Sequence, residues 1–97
     1  MYRVFSVPPM SASRIDSVLG DDRVGRQSIA VRDADALGFQ GKGILVIIEG
    51  EDSALARADT LFQGIGTALP RAEADAVYRA VKSQEDSATS GMGLIFG

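Results

Sequence analysis

The chain of 97 residues contains no cysteine, no histidine and no tryptophan. It therefore lacks the thiolate nucleophile, the side chain that most often acts as a general base near neutral pH, and the usual zinc ligands. Ser11 and Ser13 have no histidine to activate them, and no spacing singles out a pair of carboxylates for acid–base work. These absences favour a non-catalytic protein, and no cofactor is expected.

Long apolar runs are missing too, because the longest covers only residues 44–48. A helix that crosses a bilayer needs about 20 apolar residues, so no membrane is expected as a partner. Residues 1–5 have neither the length nor the cleavage-site composition of a signal peptide. Together with the lack of cysteine, this predicts a cytoplasmic protein.

Positive charge is scarce and scattered. The formal net charge is −3, and the ten basic residues are eight arginines and two lysines without a cluster. No aromatic platform accompanies the arginines, so nucleic acid is not expected as a partner. The excess of arginine over lysine, together with abundant alanine, is typical of a GC-rich prokaryotic genome. A hydrophobic content of 45% and a charged content of 24% predict an ordinary single globular domain over residues 1–97.

What the chain does contain is organised around residues 44–48, five consecutive aliphatic residues between glycines, four of them β-branched. β-Branched side chains favour a pleated backbone, and five residues are too few for a helix. A strand with one solvent-exposed face would alternate apolar and polar residues, whereas this one is apolar throughout. It is therefore predicted to be a central strand that is covered on both faces.

Two further stretches have the patterns that predict strands. Residues 2–7 are mostly apolar and end at Pro8 and Pro9, which cannot continue a hydrogen-bonded ladder. Residues 24–32 alternate between polar and apolar, as expected of a strand with one side open to water. Residues 65–69 are either a poor edge strand or a plain connector.

Three amphipathic stretches predict helices. The first starts at Ser11 or Ser13 and ends at Gly20. The second helix follows the acidic and hydroxyl residues 51–53. The third begins at Pro70, and its apolar pattern ends in the polar residues 83–90. Their apolar stripes, spaced by three and four residues, are Ile15, Val18 and Leu19 in the first, Leu55, Ala58, Leu61, Phe62 and Ile65 in the second, and Ala74, Val77, Tyr78 and Val81 in the third.

The order of these elements resembles the ferredoxin-like split β-α-β sandwich (β-α-β-β-α-β), in which the first and third strands lie in the centre of the sheet. The predicted fold is thus α+β, with a ferredoxin-like core over residues 1–69. Residues 70–97 add a C-terminal helix and an apolar tail. The resemblance is one of topology only, and it implies no particular activity.

Two sets of residues are candidate sites. The glycine-rich loop over residues 38–43 contains Gln40 and Lys42, the candidates for ligand binding. It is not a Walker loop, because it leads into a strand and has glycine where the magnesium ligand should be, so a plain connection is the competing interpretation. Glu49, Glu51 and Asp52 are the candidates for metal binding, since carboxylate oxygens suit magnesium and calcium. Their simpler interpretation is as acidic residues at a helix start.

The apolar patterns also predict packing and assembly. The second helix should lay its stripe on Leu45 or Ile47 of the central strand. The opposite face then needs cover from the third helix, from the apolar tail over residues 91–97, or from a second copy. The predicted protein is therefore a homodimer that serves as a ligand-sensing or protein-interaction module. The alternative is a small enzyme that uses a metal or the carboxylates of residues 49–52.

Overall fold

The computed structural model describes the backbone of residues 1–96 and the side chains of residues 1–86. Three short 3-10 turns, Pro9–Ser11, Val24–Arg26 and Asp35–Leu37, connect elements in this part of the chain. The strands and α-helices of the described residues are β1 (Tyr2–Val7), α1 (Ala12–Leu19), β2 (Ser28–Asp33), β3 (Ile44–Glu49), α2 (Asp52–Leu61), β4 (Thr67–Ala68) and α3 (Arg71–Phe96).

The four strands of the described chain form one antiparallel sheet in the order β2-β3-β1-β4. The two most apolar strands, β1 and β3, pair along their full length from Tyr2↔Glu49 to Val7↔Ile44 and lie in the centre. The alternating strand β2 and the two-residue strand β4 form the edges. The prediction of a mixed α+β fold with residues 44–48 in a central strand is confirmed.

One face of the sheet is covered by α1 and α2. Val46 and Ile48 of β3 are fully buried there against Leu55 of α2 and against Phe62, which follows the last residue of α2. The prediction that this helix packs on Leu45 or Ile47 is therefore wrong, since it packs on the opposite face of the same strand. Because β3 is apolar on both faces, its sequence carries no signal that distinguishes one face from the other.

The second face, which carries Leu45 and Ile47, is covered by α3. Ala74, Val77 and Val81 are buried against it, as the predicted stripe requires. Buried Ala34 and the half-buried Leu37 and Phe39, from the connection between β2 and β3, complete this second core. Both faces of β3 are thus covered within a single chain. The argument that a second copy must cover one of them no longer holds.

Two element boundaries differ from the sequence predictions. The strand predicted from residue 24 begins at Ser28, because Val24–Arg26 forms a 3-10 turn that buries Val24 completely. Helix α3 continues through the polar residues 83–90, where glutamine, glutamate and alanine are good helix formers. The predicted packing of the tail over residues 91–97 falls on side chains that lie outside the described residues.

No helix in the described part of the chain is long and apolar enough to cross a membrane.

Candidate functional site

A cleft of about 660 Å³ lies at the β4 edge of the sheet. It lies between the C-terminal end of α2 and the first turns of α3, and we call it the edge cleft. It exists because β4 is only two residues long, and Pro70 then leads the chain into α3. The sheet edge beyond β4 is left open between the two helical layers. The apolar lining of the edge cleft comes from Val4, Phe5, Phe62, Leu69 and Ala74.

Backbone groups of β1 line the edge cleft beside this apolar surface. The Leu69 N–H donates to the Val4 carbonyl at 2.9 Å, which places the polar groups of Val4 on the β4 side of β1. Polar groups alternate in direction along a strand. The N–H and C=O of Tyr2 therefore point to the same side, where β4 does not reach, because it pairs only with Phe5 and Ser6. Tyr2 thus offers one donor to the edge cleft, together with a carbonyl that already accepts a hydrogen bond from Arg3 Nη1 at 3.3 Å and can accept a second.

The rim of the edge cleft carries charges of both signs. The Arg3 Nε lies 3.4 Å from Oδ2 of Asp59, and both side chains are more than a third exposed. The other oxygen of this carboxylate, Oδ1, is shielded from solvent and has no hydrogen-bond partner among the described residues. Arg71 and Asp75, one turn apart on α3, line the same cleft, and neither has an ion-pair partner among the described side chains.

A second polar cluster lies on the α3 face of the sheet, around Glu49. The Tyr78 hydroxyl donates to Glu49 Oε2 at 2.8 Å, and the Lys82 Nζ lies 3.5 Å from Oε1 of the same carboxylate. The Tyr78 ring stacks on Tyr2 with a centroid distance of 4.1 Å. This cluster therefore ties α3 to the ends of the two central strands.

The electrostatics of this cluster favour a structural role. The hydrogen bond from Tyr78 lowers the pKa of Glu49, and the same bond raises the pKa of Tyr78. A catalytic acid or base near neutral pH needs shifts in the opposite directions, toward neutrality. Glu49 is instead held as a carboxylate and Tyr78 as a neutral donor, each satisfied by the other.

The predicted metal ligands are not brought together around an ion site. The Glu49 carboxylate accepts a hydrogen bond from Tyr78 and forms an ion pair with Lys82. Glu51 and Asp52 are exposed at the start of α2, where acidic side chains complement the positive end of the helix dipole. Within the described residues, no group of three or more acidic side chains is placed to hold a metal ion.

The predicted ligand-binding residues lie in the connection between β2 and β3. Gln40 is exposed, and the Lys42 Nζ lies 3.4 Å from the Glu73 carboxylate on α3. The Ser6 hydroxyl donates to the Lys42 carbonyl, so the loop is fastened to β1. Neither Gln40 nor Lys42 lines the edge cleft.

Sequence reasoning missed the edge cleft because its charged residues come from three separate stretches of the chain. Arg3 lies on β1, Asp59 on α2, and Arg71 and Asp75 on α3. Each is an ordinary surface charge when considered alone. The only signal in the sequence is the short apolar stretch before Pro70, which is too brief to complete an edge strand.

Comparisons with protein-family models, with curated proteins and with solved structures find no match for this chain.

Proposed function

We propose that this protein is a non-catalytic binding module that holds a small organic ligand in the edge cleft. The observation that carries this proposal is the mixed character of one cleft of about 660 Å³, with an apolar floor and several polar groups around it. Ligand sites in proteins are mostly apolar pockets of this size, with a few polar groups that fix the ligand's orientation.

The polar groups specify a ligand that carries charge of both signs. The Asp59 side chain is 42% exposed at the rim, so its carboxylate can accept a hydrogen bond from a cationic N–H group of a ligand. Arg71 offers a guanidinium for a carboxylate, and Asp75 stands one turn further along α3. The N–H and C=O of Tyr2 match an amide or an amino-acid backbone. Amino acids and short peptides with an apolar side chain fit this set of groups.

Three sequence expectations belong to the same proposal. We place residues 1–69 in the ferredoxin-like arrangement. The order β2-β3-β1-β4, with α1 and α2 on one face, supports this assignment. We also place the protein in the cytoplasm, which the lack of cysteine supports, and we expect it to form a homo-oligomer.

A thermal-shift screen of the full chain tests the proposal. Zwitterionic, cationic, anionic and neutral small molecules are compared, with amino acids, dipeptides, nucleotides and divalent ions among them. A ligand at 100 times its Kd stabilises the folded state by about 2.7 kcal/mol, which raises the Tm of a domain of this size by roughly 10 °C or more. We expect zwitterions with an apolar side chain to give the largest shifts.

Two variants localise the binding. Ala68 is exposed on β4 and lines the edge cleft, so Ala68→Trp should fill the cleft and remove the ligand-induced shift. Ala36 is also exposed, in the 3-10 turn after β2, so Ala36→Trp is the matched control and should keep the shift. A shift that survives in Ala68→Trp, or a screen in which no compound stabilises the protein, would contradict the proposal.

A further inference from the structure

The opposite edge of the sheet, β2, is also open. Ala34 N–H donates to the Gly43 carbonyl at 2.9 Å, so Ala34 faces β3. Alternation along the strand then turns the backbone groups of Asp33, Val31 and Ile29 outward, away from β3. Within the described chain, no strand pairs with this side of β2. Six residues of edge strand are thus available for pairing.

The side chains on this edge are unusual for an unpartnered strand. Val31 is 41% exposed and is the only large apolar strand residue that is exposed among the described side chains. A shallow hollow beside it is lined by Pro9 and Ile44, and Met10, which follows Pro9, is 89% exposed. Exposed edge strands usually carry charges that block association. The position at the middle of β2 is apolar instead.

The two ends of β2 carry opposite charges. Exposed Arg23 and Arg26 lie just before β2. At its other end lie exposed Asp33, the last residue of β2, and exposed Asp35 in the following turn. Arg26 pairs with Asp22 on the surface, and both side chains are at least three-quarters exposed. Such a pair is weak. In the described structure neither Asp33 nor Asp35 has a cation partner.

We propose that two copies of this chain pair antiparallel through β2, with Val31 opposite Val31 of the partner, and form one continuous eight-stranded sheet. An antiparallel self-pairing places the basic end of each strand beside the acidic end of the other, twice by symmetry. Charge complementarity and apolar contact thus coincide on one edge. Pairing through an exposed strand edge is a recurring mode of recognition.

The hydrogen bonds of this pairing follow from the outward-facing groups. Val31 exchanges two backbone bonds with its symmetry mate, and Ile29 exchanges two with Asp33 on each side of the axis. The Arg32 Nη1 donates to the Val31 carbonyl at 3.0 Å. A carbonyl oxygen accepts two hydrogen bonds, so the partner's N–H still finds an acceptor.

Sedimentation equilibrium of the full chain, over roughly 10 µM to 1 mM, measures the association. We expect a reversible dimer. Val31→Lys keeps the backbone but sets two like charges directly opposite each other, so it should raise the dimer Kd at least about tenfold. Val31→Thr keeps the shape and the N–H and serves as the matched control, with a change of at most about threefold. Far-UV circular dichroism of each variant verifies that it is folded.

A charge exchange identifies the interface itself. Asp35→Lys and Arg26→Glu should each weaken their own dimer, because each places like charges together at both ends of the paired strands. An equal mixture of the two variants should restore dimers, since every contact is then between opposite charges. A monomeric wild-type protein, a dimer unaffected by Val31→Lys, or a mixture that stays dissociated would each overturn the proposal. None of these variants lies at the edge cleft, so ligand binding is tested independently.

Discussion

Truncation of Phe62 is the sharpest test of the core under α2. This side chain follows the last residue of α2, is 1% exposed, and stacks on Phe5 with a centroid distance of 4.2 Å and an interplanar angle of 16°. Phe62→Ala removes the ring and leaves a cavity between α2 and the sheet. The physical effect is the loss of transfer free energy together with the contacts around the cavity.

The expected destabilisation is about 3–5 kcal/mol, the usual range for a buried phenylalanine. A domain of this length has a total free energy of unfolding of roughly 5–15 kcal/mol. Phe62→Ala should therefore remove roughly a fifth or more of it, and a marginally stable protein would unfold. Phe62→Leu keeps most of the volume but loses the stacking on Phe5, so a loss of roughly 1–1.5 kcal/mol is expected.

Urea denaturation followed by far-UV circular dichroism measures these differences, because the chain has no tryptophan to report by fluorescence. Gln63→Ala, at the exposed neighbouring position, is the control and should change the free energy of unfolding by less than about 0.5 kcal/mol. A loss below about 1 kcal/mol for Phe62→Ala would refute the packing of α2 on this face.

Two further predictions concern the β2–β3 connection and the polar cluster on α3. Gly43 has φ +73°, and an added Cβ would collide with the Val7 carbonyl oxygen, whereas Gly41 has φ +83° and open space. Gly41→Ala should therefore lower the free energy of unfolding by about 1–2 kcal/mol. In the same urea titration, Gly43→Ala should lower it by at least roughly 1 kcal/mol more; equal losses for the two variants would contradict the close approach of Gly43 to the Val7 carbonyl. The lowered pKa of Glu49 gives stability that is present above its unfolded value of 4.5 and is lost as pH falls through the folded value. Tyr78→Phe should thus lower the free energy of unfolding at neutral pH, and this loss should shrink in acid. A loss that stays the same between neutrality and pH 3, roughly one unit below the usual pKa of Glu, would argue against this bond.

The local elements of the fold are encoded in short stretches of sequence. A run of five aliphatic residues predicts β3, and stripes at helical spacing predict α2 and α3, because burial on one or two faces imposes a fixed period on apolar residues. Gly38 ends the turn Asp35–Leu37 with φ +88°, a left-handed conformation that glycine adopts without steric cost. Each of these features depends on residues that are close together in the chain.

Which surfaces pack against each other depends on contacts between residues far apart in the chain. Helix α2 covers Val46 and Ile48, while α3 covers Leu45 and Ile47. Residues 44–48 are apolar on both faces, so their sequence does not predict which helix covers which face. That choice depends on how the connections cross the sheet, a long-range property that no local period records.

The candidate sites show the same division. The glycines around Gln40 and Lys42 predict a ligand-binding loop. In the structure, contacts of Lys42 with Ser6 and Glu73 anchor this loop to β1 and to α3. The edge cleft brings together Arg3, Asp59 and Arg71 from distant stretches, and it forms because β4 is too short to fill the sheet edge. Local chemistry determined the helices and strands of this protein. The space between them, where the edge cleft lies, was determined by which strand ends first and where the next helix begins.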